Sequence, residues 1–322
     1  MKVLRRIVPL AAVASLSLGM APSAPAAVGT SPSRPTPDIV ISGIFDRPES
    51  VLHDTRRDVY LVSNITNGPR DTDNTGFISR VAPDGQVLAA RWIAGGVRGV
   101  TLNAPKGMAI ARGLLYVADI DQLRIFDAAT GAPRGSIAFP NATFLNDVAS
   151  DEHGTVYVTD IGFTTVPAFG PSGTDAVYRV SPRGAVSVVA AGNAVLHHPN
   201  GVTVRPDGRL LVVTYDPFDG TREMFTLDAA GRKSNVITLP TGLLDGVEIT
   251  PRGVLVSSWV DFSNATAAVI YLVRRDGSIV QVAGGFQNAA DIGYDLRRNR
   301  ILIPALPDPG TGGRVVIRSL GR

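Results

Sequence analysis

The chain has 322 residues, 31 Lys+Arg against 28 Asp+Glu, 44% hydrophobic residues and no cysteine. Disulfide frameworks and thiolate sites are excluded, and no basic stripe exists to follow a nucleic-acid backbone. Lys2, Arg5 and Arg6 account for the whole formal excess of +3, so the rest of the chain is formally neutral.

Those three residues form a positive n-region. Ile7 to Ala21 follows as an apolar stretch broken by Pro9, and Ala24-Pro25-Ala26 has the small-x-small pattern of a cleavage site. The apolar stretch is shorter than the roughly 20 residues a bilayer span needs. Residues 1–26 are therefore expected to be a signal peptide, giving a secreted or periplasmic protein with no membrane attachment after cleavage. Residues 27–37, rich in Ser, Thr and Pro, read as a flexible lead-in. The folded domain is expected over 38–322.

The domain opens with a strand-like run, Ile39 to Phe45, that belongs to no later unit. After it one phrase recurs: Pro48-Glu49-Ser50-Val51, Pro105-Lys106-Gly107-Met108, Leu145-Asn146-Asp147-Val148, Pro199-Asn200-Gly201-Val202, Leu244-Asp245-Gly246-Val247 and the degraded Ala289-Ala290-Asp291-Ile292. The spacings of 40 to 57 residues are those of propellers and solenoids. Each phrase starts a first strand. A short turn, such as Arg205-Pro206-Asp207-Gly208, leads to a second strand. The third strands include Phe77 to Val81 and Ile270 to Val273, and most meet a tight Gly turn before a fourth.

Six units of four strands predict an all-β, six-bladed β-propeller of four-stranded blades. The sixth unit runs out after its third strand, so the N-terminal strand is expected to complete the last blade and remove an exposed edge. Connections between second and third strands are long: 64–76, 161–174, 216–222, 260–266 and 306–313. They fall on the end where the first strands begin, and long loops on a rigid scaffold mark a functional face.

The variable residues of the phrases, Glu49, Lys106, Asn146, Asn200, Asp245 and Ala290, would then converge on the axis at that face. Two carboxylates and two amide oxygens suit a divalent cation, calcium above all, which takes 6–8 oxygen ligands. The same residues also satisfy a plain reading, a hydrogen-bonded polar channel. His198 is expected near the mouth, where a histidine can move a proton or touch substrate. Tyr215, Phe218, Trp259 and Phe262 sit on or beside the long loops as pocket-lining candidates. Asn64, Asn141 and Asn264 open Asn-x-Thr sequons.

With Glu49, Asn146, Asn200 and Asp245 occurring in that order, the chain from about Ile39 onward resembles the senescence-marker-protein/gluconolactonase (regucalcin-like) propellers. The resemblance implies that Glu49, Asn200 and Asp245 hold a divalent metal, usually calcium. It implies that Asn146 contacts metal or substrate and that Asp245 acts as base. Lys106 departs from the family pattern. Three roles are open to it: replacing the metal, facing substrate, or forming a structural ion pair. A metal-dependent hydrolase of a lactone or related ester is the expected function, with a small-molecule substrate bound near Asn146, Lys106, His198, Tyr215 and Trp259. A non-catalytic ligand- or partner-binding propeller is the alternative. A lyase built on the same scaffold is disfavoured, because the ring lacks histidines. Nothing in the chain indicates an oligomeric state.

Overall fold

The computed structural model describes residues 37–165, 168–259, 268–286, 288–306 and 312–321. The expected signal segment, nearly all of the expected lead-in, Phe262 and Asn264 lie outside these.

The fold is an all-β ring of six blades, each a four-stranded antiparallel sheet. The first blade is Pro48–Asp54, Val59–Asn64, Phe77–Val81 and Val87–Ala94; the second is Pro105–Ala111, Leu114–Asp119, Gln122–Asp127 and Pro133–Ala138. The third comprises Leu145–Ser150, Val156–Asp160, Ala176–Val180 and Val186–Ala191, and the fourth Pro199–Val204, Leu210–Thr214, Glu223–Leu227 and Lys233–Thr238. The fifth is Leu243–Thr250, Gly253–Trp259, Ala268–Val273 and Ile279–Phe286. In the sixth, Gly293–Asp295, Arg300–Ala305 and Gly313–Ser319 are joined by the N-terminal strand Ile39–Phe45, which pairs Ile39 with Ile317 and Ile41 with Val315. The ring is thus closed between the two ends of the domain.

Burial explains why these segments are strands of different kinds. Second and third strands have a neighbouring blade on both faces, so Val59–Asn64 and Ala268–Val273 are buried throughout. Outermost strands such as Pro133–Ala138 and Lys233–Thr238 are exposed along most of their length. The core is divided among the seams between blades. One cluster packs Val59, Leu61 and Ile78 of the first blade on Met108, Leu115 and Val117 of the second. Another packs Leu302, Val315 and Ile317 of the last blade on Val51, Tyr60 and Val62 of the first. Truncating one such residue to Ala removes about 2–5 kcal/mol.

The closure seam also carries a polar clamp. Tyr60 Oη donates to Asp295 Oδ2 at 2.6 Å, and Arg298 bridges Asp58 and Asp295. His53 is buried beside both carboxylates. Among the described residues helix is limited to one turn, Asn193–Leu196. No helix among them is long and apolar enough to cross a membrane. Of the sequons, Asn64 is fully buried, with its amide donating to the Val62 carbonyl, so it is closed to modification, whereas Asn141 is exposed.

Candidate active site

The recurring phrase is a β-bulge. In each of the first five blades the innermost strand slips by one residue against the second strand at the same place, between Pro48 and Val51, Pro105 and Met108, Leu145 and Val148, Pro199 and Val202, and Leu244 and Val247. An extra residue in one strand re-aims its side chain. The residues re-aimed are Glu49, Lys106, Asn146, Asn200 and Asp245.

Two devices hold the bulges in place. First, a carboxylate or amide at the end of a second strand catches the backbone entering a first strand. Asn64 Oδ1 accepts from Asp46 N at 3.0 Å, Asp119 Oδ1 from Ala104 N at 2.8 Å, and Asp160 Oδ1 from Phe144 N at 2.9 Å. Second, in alternate blades a hydroxyl bolts the bulge to the next blade. Thr159 Oγ1 accepts from Asp147 N at 2.9 Å and donates to the Asn200 carbonyl at 2.7 Å. Ser257 Oγ does the same between Gly246 N (2.7 Å) and the Ala290 carbonyl (2.8 Å). Where the next strand presses closest the bulge needs glycine: a Cβ on Gly201 would lie 2.2 Å from the Asp245 carbonyl oxygen.

Five of the six ring residues, Glu49, Lys106, Asn146, Asn200 and Asp245, line a single cavity of about 210 Å³ at the long-loop end, together with Tyr215 and Trp259. Ala290 is buried outside it. Four oxygens of this set are buried without a hydrogen-bond partner: Glu49 Oε2, Asn146 Oδ1, Asn200 Oδ1 and Asp245 Oδ1. Leaving one such acceptor unsatisfied costs about 1–3 kcal/mol. Four such oxygens lining one cavity could hold a hard cation.

Burial dominates the electrostatics of these groups. Burial, then the charge of Asp245, pushes the Glu49 carboxyl well above its ordinary range, and Lys106 only partly offsets this. Burial, then Asp147, pushes Asp245 up to about 8, against hydrogen bonds from Trp259 and Asn200 that favour its ionised form. Burial also pushes Lys106 down to about 8, with Glu49 opposing. Each group is driven toward neutrality, carboxylates upward and the ammonium downward, because burial disfavours charge of either sign.

Among the described residues Lys106 forms no ion pair, one of the roles that the sequence left open. Its Nζ donates to the Ala104 carbonyl at 2.9 Å and lies 4.7 Å from the centre of the Phe144 ring. His198 is where sequence reasoning needs correction. It is buried behind Phe163, with ring centroids 4.7 Å apart, and does not line the cavity. Its Nδ1 lies 2.8 Å from the Ile161 carbonyl and 2.9 Å from Asp175 Oδ1, and its Nε2 3.0 Å from Asn193 Nδ2. His197 and His198 both adopt left-handed backbone angles, φ 49° and 59°, which turn the imidazole inward instead of toward the mouth. It positions a loop.

Sequence reasoning missed Phe144, Phe163, Phe169 and Arg47, which also line the cavity. Phe144 directly precedes Leu145-Asn146, and that adjacency was the one available signal. Phe163 arrives on a small hairpin, Phe163–Thr164 with Gly170–Pro171, inside a long connection. Phe218 packs on Phe163 and Phe169 at the lip, outside the lining. A grouping of His197, Asp216 and Asp219, with ligand atoms within 4.8 Å of one another, lies off the cavity.

With the geometry established, the family can be assigned. Residues 85–283 match the model of the SMP-30/Gluconolactonase/LRE-like region. The chain belongs to this family. Among solved structures, a protein provisionally described as a gluconolactonase aligns with a TM-score of 0.61 at 19% identity, covering 89% of this chain and 96% of its own. Luciferin-regenerating enzyme aligns with a TM-score of 0.59 at 13% identity, over 88% and 95%. A gluconolactonase from Xanthomonas campestris aligns with a TM-score of 0.53 at 18% identity, over 88% and 98%. At such identities these SMP-30/gluconolactonase-like structures share the fold. A comparison with curated proteins gives no match.

Proposed function

We propose that this protein is an exported, metal-dependent hydrolase of the lactonase type, acting on a small-molecule lactone or related ester. The observation that carries the reading is the set of four buried oxygens without partners on four different blades. Glu49, Asn146, Asn200 and Asp245 would hold a divalent cation, calcium by the hardness of an all-oxygen set. Bound there, it would supply Lewis-acid polarisation of the substrate carbonyl. Family membership supports the reaction class, and the n-region, apolar stretch and cleavage pattern of residues 1–26 support export.

This chain's residues divide the remaining work. Trp259 and Asn200 favour the ionised form of the Asp245 carboxylate, which offers Oδ1 to the cation and serves as base through its other oxygen. A water adds through its oxygen to the carbonyl carbon as the second oxygen of the Asp245 carboxylate takes its proton. The ring C–O bond then breaks, and that proton passes to the departing alkoxide. The test is a panel of aldonolactones and acyl lactones assayed with calcium and with chelator. Turnover that requires calcium and is lost in Asp245→Asn supports the assignment. Calcium binding with no turnover on any lactone or ester would make the protein a binding propeller instead.

A further inference from the structure

The cavity has two unlike walls above its floor. From the first two blades come cations. Arg47 Nη1 donates to the Asn67 carbonyl at 2.9 Å, and Lys106 Nζ donates to the Ala104 carbonyl at 2.9 Å. Neither has an ion-pair partner among the described residues. Of five guanidinium donors and three ammonium donors, each cation commits one to those carbonyls. Arg70 stands behind them, close enough to press on the Lys106 charge, and its Nε is buried without a partner. Arg47 is held at a left-handed φ of 53°, a conformation that costs a non-glycine residue about 1 kcal/mol. The Asp46 N to Asn64 and Ile65 N to Arg47 O bonds keep it there.

The neighbouring wall is apolar and meets the cations at Phe144, whose ring centre lies 4.7 Å from Lys106 Nζ. Phe144, Ile161, Phe163 and Tyr215 belong to one buried cluster, with Trp259 packed against it. Tyr215 and Trp259 meet edge to face at 5.6 Å. At the lip, Phe169 and Phe218 are 52% and 45% exposed and stack at 5.7 Å. Exposed aromatic pairs at a pocket mouth mark a surface that receives apolar groups.

We propose that the substrate is a lactone or ester bearing a carboxylate on an apolar, ring-sized body, and not a polyhydroxylated sugar lactone. Only the words lactone and ester rest on the hydrolase reading above; the carboxylate and the apolar body rest on the two walls. Arg47 and Lys106 receive the carboxylate, and the Phe144–Phe163–Tyr215 wall receives the body. The volume of about 210 Å³ suffices, since cavities of about 150 Å³ already take a benzene ring. The hydroxyls of a sugar laid on this wall would lose their hydrogen bonds to water and find none in exchange.

Calorimetry on the calcium-loaded protein tests this with three probes: 3-phenylpropionate, 3-phenylpropionamide and gluconate. 3-Phenylpropionate is expected to bind about tenfold or more tighter than either of the others, the scale of one charge-assisted contact. The preference over the amide should shrink about tenfold in Lys106→Met and in Arg47→Gln. Met keeps the length of the lysine stem and removes a buried charge, so that variant is expected to fold. Gluconate binding as tightly as 3-phenylpropionate would overturn the proposal. So would a carboxylate preference that survives in both variants, because the carboxylate would then be read by the cation alone. If the binding order holds while no lactone or ester is hydrolysed, the hydrolase reading falls and this one stands.

Discussion

The two ends of the axial channel are built from the same strands and similar residues, yet they do different things. At the long-loop end, Glu49, Asn146, Asn200 and Asp245 each keep a buried oxygen without a partner. Further along the inner strands a second cavity of about 290 Å³ is lined by Ser50, Asp147 and Glu248, with Asp291 of the last blade. There the acceptors are spoken for. Asp147 accepts from Val148 N at 2.6 Å and Val202 N at 2.7 Å, and Asp291 Oδ2 accepts from Ser50 Oγ at 2.5 Å. Asp147 and Asp291 at that end fasten neighbouring blades, while Glu49 and Asp245 at the loop end each keep an oxygen without a partner. Adjacent residues such as Asn146 and Asp147 differ in role because the bulge sends one to each end.

That contrast can be broken from either side. The largest expected effect is at the ligand end: Asp245→Asn should lower turnover on the best lactone by about 10²–10⁴-fold, the range for losing a general base. A melting temperature near that of the wild type would show that the loss is chemical. At the fastening end, Asp147→Ala strands two buried backbone N–H groups and should cost about 2–4 kcal/mol, read by denaturant unfolding. Ser257→Ala removes one bolt and should cost about 1–2 kcal/mol in the same measurement. Equal stability of either variant and the wild type would mean that these contacts do not fasten the ring.

The smallest effect is a pH dependence. Burial, then the Asp147 charge, pushes Glu248 up to about 8 from its ordinary 4.5. The folded state therefore holds this proton more tightly than the unfolded chain, and the contribution of Glu248 to stability falls as pH rises from about 5 to about 8. Glu248→Gln mimics the protonated form. It should raise stability at pH 8 relative to pH 5 by on the order of 1 kcal/mol, roughly 2–4 °C in Tm. A shift of equal size at both pH values would remove Glu248 titration as the cause.

The ring was legible because its phrase repeats with turn residues at constant phase, and because the strand surplus at one terminus matches the deficit at the other. Both are local signals. The bulge was not legible, since a register slip exists only between paired strands. It decides which of two neighbouring polar residues faces the ligand. His198 misled for a similar reason: two successive left-handed residues reverse a side chain without leaving a mark on composition. Lys106 was visible as an oddity, but the carbonyl and the Phe144 ring that hold it come from the ring's three-dimensional arrangement. Arg47 and the Phe163 hairpin sit in irregular segments, where periodicity carries no information.

The central claim, that unpartnered oxygens make the loop end a cation site, is tested most directly by calorimetric titration of calcium into the metal-stripped protein and its Glu49→Gln variant. One calcium per chain is predicted for the wild type, with affinity weakened about tenfold or more in the variant, at least 1.4 kcal/mol. No calcium binding by the wild type, or equal affinity in both proteins, would contradict it.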